Sequence, residues 1–105
     1  MRQTLVVAAV VMAAAATLPA ETAPKTYTVV IDKLKFGGPP AGLHARDTIV
    51  WLNRDIFRHS ATARDGSFDI DLRPGAKGST VLRHAGRVAF FCKYHPGMTG
   101  TLTVG

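Results

Sequence analysis

Residues 86–104 read GRVAFFCKYHPGMTGTLTV. Gly86 to Cys92 (GRVAFFC) and Thr99 to Val104 (TGTLTV) are short runs rich in β-branched and aromatic residues, the composition of strands. Period-two alternation sets Val88, Phe90 and Cys92 on one face of the first run. Between the runs the chain must turn round within a few residues, and that loop carries Cys92, His95 and Met98 in the spacing Cys-x2-His-x2-Met. A strand, a loop dense in sulfur and nitrogen donors, and a second strand thus follow one another directly.

Outward from this stretch the pattern repeats. Gly78 to Arg83 (GSTVLR) is a further strand, expected to form a hairpin with Gly86–Cys92 through His84-Ala85-Gly86. Asp65-Gly66 and Arg73-Pro74-Gly75 are turn signals around Ser67 to Leu72. His59 to Arg64 (HSATAR) is a short strand. Asp47 to Asn53 (DTIVWLN) is another, with Ile49, Trp51 and Asn53 on one face and Thr48, Val50 and Leu52 on the other. Both faces are largely apolar, so cover on both sides is expected. Gly37-Gly38-Pro39-Pro40 is a loop, because neither proline can donate to a sheet ladder. Lys25 to Asp32 (KTYTVVID) opens the series. No stretch after residue 20 keeps a 3.6-residue apolar period. Closely spaced short strands predict an all-β domain, a small Greek-key β-sandwich or barrel.

The first twenty residues stand apart. Met1-Arg2 is positive, Leu5 to Leu18 is apolar, and Leu18-Pro19-Ala20 ends in a small residue, the order of a secretory signal peptide. The run falls short of the roughly 20 residues that a helix needs to cross a bilayer core. The expected organisation is therefore a signal peptide over 1–20 and one domain over 21–105, exported to the periplasm, monomeric and not membrane-spanning once the leader is removed. With 13 Lys+Arg against 7 Asp+Glu, the chain carries a formal charge of +6. The basic residues are scattered rather than clustered and no nucleic-acid-binding module is visible, which excludes a nucleic-acid partner. The charge suits an acidic protein partner and would be screened by salt.

Cys92 is the only cysteine, so a domain of this size has no disulfide to support its small core. A lone cysteine can be a buried apolar thiol. Here it shares a loop with His95 and Met98. A thiolate, two imidazoles and a distant thioether form the ligand set of a blue-copper electron-transfer site. The loop supplies three of these, and His59, at the start of a strand that follows the Trp51 strand by a short turn, is the best candidate for the second imidazole. His59 could instead be a strand-end histidine, and Met98 a core residue beside a three-ligand site. His44 and His84 read as surface histidines. Trp51, Phe68, Phe90 and Phe91 read as core or surface-patch residues, and Asp69 and Asp71 as solvated carboxylates.

The stretches Asp47–Asp55, His59, Phe68-Asp69, Pro74-Gly75 and Phe91–Thr101 resemble the cupredoxins, the type 1 blue-copper family, and most closely the amicyanin group, with plastocyanin and pseudoazurin further away. The resemblance covers roughly Asp32 to Val104. It implies a cupredoxin-like fold and one copper ion cycling between Cu(II) and Cu(I), held by His59, Cys92, His95 and Met98. It also implies an electron carrier with no substrate turnover. Asn53 would be an outer-shell residue tying the His59 segment to the Cys92 loop. His95 would reach the surface through an apolar patch formed by Pro39, Pro40, Phe57, Pro96 and Gly97. Donor and acceptor would be redox proteins, such as a dehydrogenase and a c-type cytochrome. Four positions depart from the family pattern, Val88 and Phe90 standing at strand positions that are often tyrosine. Arg46 stands where many members have glycine, and Lys93 follows the cysteine where a small or hydroxyl residue is common, which weakens the expected tie to Asn53.

Other classes fit less well. A copper-delivery protein of the same fold would be Met- and His-rich and would lack a thiolate. A multicopper oxidase or nitrite reductase needs a second copper centre, which four histidines do not provide. No nucleophile elbow, phosphate loop or metalloprotease helix is present.

Overall fold

The computed structural model describes residues 2–10 and 23–105. The expected cleavage point at Ala20, and residues 11–20 of the apolar leader, lie outside the described residues. Residues 2–10 are exposed and form no regular element. Among the described residues no helix is long and apolar enough to cross a membrane.

Eight strands form two four-stranded sheets. The first holds β1 (Thr26–Asp32), β2 (Lys35–Phe36), β3 (Thr48–Asn53) and β6 (Lys77–Val81), in the order β2-β1-β3-β6. The second holds β4 (His59–Ala63), β5 (Asp69–Leu72), β7 (Gly86–Phe91) and β8 (Thr99–Val104), in the order β5-β4-β7-β8. β1 and β3 run parallel, from Thr26 opposite Thr48 to Ile31 opposite Asn53, and the other named pairs are antiparallel. The chain crosses between sheets after β3, β5 and β6, which gives the all-β sandwich expected from the strand spacing.

The inner faces supply one core. Val29, Ile31, Ile49, Trp51, Ala61, Leu72, Phe90 and Leu102 are almost fully buried. Trp51 lies among aromatic rings, with centroids of Phe90, Phe68 and Phe36 at 5.1, 5.7 and 6.0 Å. Its indole N–H, which must find an acceptor when buried, donates to Thr80 Oγ1 at 3.3 Å. In β3 the Ile49, Trp51 and Asn53 face is buried as the alternation predicts. The Thr48, Val50 and Leu52 face is only half-buried, so the expected cover on both sides is incomplete. β4 is the strand covered on both faces, with all five residues buried.

The structure departs from the sequence reading at two connections. The expected hairpin between residues 78–83 and 86–92 does not form. β6 pairs instead with β3, from Thr48 opposite Val81 to Leu52 opposite Lys77, while β7 lies between β4 and β8. Buried Leu82 is tied to the turn before β3, donating its amide to Asp47 O at 2.8 Å and accepting from Arg46 N at 2.6 Å. That anchorage carries the chain across the sandwich, and Gly86, at φ 127°, redirects it into β7. The second departure is β2, which follows β1 through Lys33 and Leu34, at φ 52° and 60°. Two left-handed residues make a tight hairpin turn, but the sequence has neither Gly nor Asn there to announce it. Arg46, at φ 78°, occupies the left-handed region too, which accounts for the glycine common at that position in the resembling family.

Two predictions follow from this packing. Gly100 faces Phe90 across the β7–β8 ladder, and a Cβ on Gly100 would come within 2.8 Å of Phe90 Cε2. Phe36 and Trp51 hold that ring from behind, so Gly100→Ala is expected to lower stability by about 1–3 kcal/mol through overpacking. A reduced urea midpoint at unchanged m would show this. Buried Asp47 accepts the amides of Lys25 at 2.8 Å and His44 at 2.9 Å, and these bonds hold its pKa below the ordinary carboxylate value of 3.8. Its stabilisation is therefore complete above the unfolded carboxylate range and is lost as pH falls through the lower folded value. Asp47→Asn is expected to flatten the acid limb of stability between pH ~5 and ~2; an unaltered slope in urea melts would count against this.

Candidate metal centre

Asn53 ends β3 and organises the loop that leads to β4. Its Nδ2 donates to Phe57 O at 2.8 Å and Leu72 O at 3.0 Å, and its Oδ1 accepts from Asp55 N at 2.9 Å. These bonds fix where β4 begins, and β4 begins with His59. The expected tie from Asn53 to the Cys92 loop is not made, because its side-chain groups bond to residues 55, 57 and 72. Ser60 makes that tie instead. Its Oγ accepts Lys93 N at 2.8 Å and its amide donates to Cys92 Sγ at 3.4 Å.

Cys92 leaves β7 directly into a short closed loop. Cys92 N donates to Met98 O at 3.1 Å, and Met98 N donates to His95 O at 2.8 Å across Pro96 and Gly97. The second bond is that of a four-residue turn with proline at its favoured second position. Cys92 and Met98 are buried and His95 is half-buried. His44 and His84 are exposed, as expected of surface histidines.

Cys92 Sγ lies 3.6 Å from His59 Nδ1 and 3.8 Å from His95 Nδ1. One donor atom from each of the three residues lies within 4.8 Å of the others. Metal bonds of roughly 2.0–2.3 Å, spread about a trigonal centre, would set nitrogen and sulfur donors about 3.7 Å apart. Both measured separations match that spacing. The donor set of buried thiol, two imidazoles and a nearby thioether residue fits a copper site that is indifferent to the metal's charge state.

The orientation of His59 has a visible cause. Its Nε2 meets Asp55 Oδ2 at 2.9 Å, with side chains 0% and 8% exposed, which leaves Nδ1 to face the sulfur. A carboxylate behind a ligating imidazole selects the tautomer and raises its basicity. The same Asp55 oxygen accepts Leu34 N at 2.9 Å. The hydrogen bond to His59, then that from Leu34, hold the Asp55 carboxyl below its usual range. Sequence reasoning gave Asp55 no role. A carboxylate four residues ahead of a candidate ligand, across a short turn, was the available signal.

Asp69 and Asp71, read as solvated, are both engaged. Asp71 accepts Tyr94 OH at 2.7 Å and Arg58 Nε at 3.1 Å, and Asp69 accepts Thr62 Oγ1 at 2.9 Å and Lys93 Nζ at 3.0 Å. Arg58, then Tyr94, pull the Asp71 carboxyl down from 3.8 to about 2. Lys93 therefore turns away from the sulfur towards β5. Of the residues read as a surface patch, Phe57 is 45% exposed and its ring centroid lies 5.9 Å from that of His95. Pro96 and Gly97 are exposed beside it, while Pro39 and Pro40 lie in the loop after β2, exposed and half-buried. Ile56, 81% exposed, is a further apolar residue at this end; an isoleucine beside a phenylalanine gives no sequence sign of facing water.

No family profile matches the chain. Among curated proteins it is similar to amicyanin of Paracoccus versutus, at 28% identity over 87% of this chain and 70% of that protein. Among solved structures it matches the Cu(I) form of a methionine-to-alanine mutant of amicyanin, at 26% identity and a TM-score of 0.70, covering 82% of this chain and 88% of that one. It also matches the oxidised state of a proline-to-alanine mutant of amicyanin, at 26% identity, the same coverage and a TM-score of 0.66. Sequence and architecture thus agree with the resemblance read from the ligand loop: the chain has an all-β fold like that of amicyanin and is similar to it in sequence.

Proposed function

We propose that this chain is an exported type 1 copper protein that carries single electrons, with the ion held by His59, Cys92, His95 and Met98. The observation that carries this reading is the meeting of one buried thiol and two imidazole Nδ1 atoms at 3.6 and 3.8 Å. Bound copper would supply one-electron chemistry between Cu(II) and Cu(I). The protein's part is to hold four donors in one arrangement for both states. His59 is fixed by Asp55, and Cys92 by its strand and by the Ser60 amide. Burial of the thiol favours metal retention over exchange with solvent, which weighs against copper delivery. On this reading residues 1–20 are the leader and 21–105 the working domain. His95, flanked by Phe57, Pro96 and Gly97 and near Ile56, is the exit for the electron. Pro39 and Pro40 extend that surface. The basic charge suits donor and acceptor proteins with acidic surfaces.

Cu(II) added to the purified metal-free protein is expected to give an intense blue thiolate-to-copper band. One equivalent bound without colour would favour delivery instead. Cys92→Ser is expected to abolish the colour, and Met98→Gln to keep copper while lowering the reduction potential. A blue spectrum that survives loss of the thiol would end the proposal.

The patch makes a separate prediction. A Cβ at Gly97 would meet nothing within 4 Å and its φ is not left-handed, so the fold tolerates a side chain there. Gly97→Glu is expected to leave the blue band unchanged and to slow electron self-exchange between oxidised and reduced copies by about tenfold or more, by separating the two His95 edges. Unaltered self-exchange, measured by NMR line broadening, would remove Gly97 from the exchange surface.

A further inference from the structure

Resting on the copper reading, we infer that Asp71 of β5 is a positioning residue that braces the two histidine-bearing segments against each other. Arg58 immediately precedes His59, and Tyr94 immediately precedes His95. One carboxylate receives both. Arg58 Nε lies 3.1 Å from each Asp71 oxygen and its Nη2 also donates to Oδ2, while Tyr94 OH donates to Oδ1 at 2.7 Å. The Arg58 guanidinium sits over the Tyr94 ring, 5.1 Å from its centroid, so the three side chains form a closed triangle.

An exposed ion pair usually contributes little, because water screens it and side-chain ordering offsets the gain. The significance of this one lies in what it connects. The β4–β7 ladder ends at Thr62 opposite Phe91, short of both histidines. Past that point Ser60 binds the backbone of Lys93, and the Asp71 triangle joins the residues one step before each imidazole. Asp69 repeats the arrangement further in, taking Lys93 Nζ and Thr62 Oγ1. Bidentate geometry makes the Arg58 bond directional, and the stacked tyrosine restricts the arginine further. β5 thus acts as a strut across the metal end, and the His95 segment, carried on a loop with one face open to solvent, has the greater need of it.

The test compares wild type with Asp71→Ala, Asp71→Glu and Tyr94→Phe by two measurements. One is amide hydrogen exchange of the metal-free protein, and the other is copper release to a chelator from the loaded protein. Asp71→Ala is expected to speed exchange at the hydrogen-bonded Ser60, Cys92, Lys93 and Met98 amides by about tenfold and copper release by ~10–100-fold, with β1 and β3 amides unchanged. Tyr94→Phe should reproduce part of both effects, and Asp71→Glu, which can still reach both partners, should restore most of them. Exchange within twofold of wild type at those four amides would overturn the brace. So would acceleration spread evenly over both sheets, the sign of a general loss of stability. If wild type takes up no copper, the copper reading fails by itself, and the exchange measurement still decides the brace.

Discussion

The arrangement of this molecule depends on β4 lying beside β7. The ladder between them is short, Thr62 with Phe91 and Ala63 with Phe90, yet it brings His59 to 3.6 Å from Cys92 across 33 residues of sequence. A strand in that place is flanked by β5 and β7 and covered on both faces. HSATA is suited to it. Its alanines let the opposite sheet approach closely, and its hydroxyls satisfy one another, with Ser60 Oγ 2.8 Å from Thr62 Oγ1. No buried side-chain nitrogen or oxygen of the described residues lacks a partner, so this polar strand avoids the cost of unpaired burial. The same hydroxyls then reach outward, to Lys93 and Asp69, and link the interior of the sandwich to the ligand loop.

Much of this was legible in the sequence, and the reasons differ from part to part. The strands at 48–53, 59–63 and 99–104 were readable because β-branched and aromatic runs ended at turn residues. The donor loop was readable because Cys92, His95 and Met98 are close in sequence, so the loop's own geometry brings them together. The partnership of β6 was not. Local alternation looks the same whether a strand folds back on its neighbour or crosses to the other sheet. The decision lies in Leu82, whose backbone bonds to Arg46 and Asp47, residues far away in the chain. The roles of Asp55, Asp69 and Asp71 were hidden for a related reason, since a carboxylate's partner is set by tertiary approach rather than spacing.

Strain lies close to the site as well. Lys33 and Leu34 are both left-handed, a conformation that costs a residue with a Cβ about 1–2 kcal/mol. Such strain persists only where surroundings over-determine it, and here two carboxylates do so. Asp32 accepts Lys33 N at 2.9 Å, and Asp55 accepts Leu34 N at 2.9 Å. Because Asp55 also holds His59 Nε2, the strained turn and the imidazole share one anchor. The turn adds a backbone donor to a carboxylate that already meets His59 Nε2 and accepts the Ile56 amide, so Asp55 is pinned by three groups.

On the proposed reading, charge at the metal end is divided unevenly, and the division has a structural cause. On the β5 side, Arg58 and Lys93 are each matched by an aspartate. On the other sheet, Lys35 and Lys77, with Lys33 and Arg54 next to its strands, are exposed, and no salt bridge of the described residues includes them. Backbone bonds between Asn53 and the 75–76 turn, and the bond from the Leu34 amide to the Asp55 carboxylate, hold these cations around the end of β3, where the loop to His59 begins. An acidic protein nearing this end would therefore be drawn to the β1–β3–β6 side and would meet little net charge over β5. The steering is lopsided while the contact at Phe57, Pro96 and Gly97 is apolar and uncharged. Long-range attraction sets how the partner arrives, and the short-range surface sets how near His95 it comes to rest. These two requirements fall on different residues, so β5 can be committed to holding the ligands without weakening the approach.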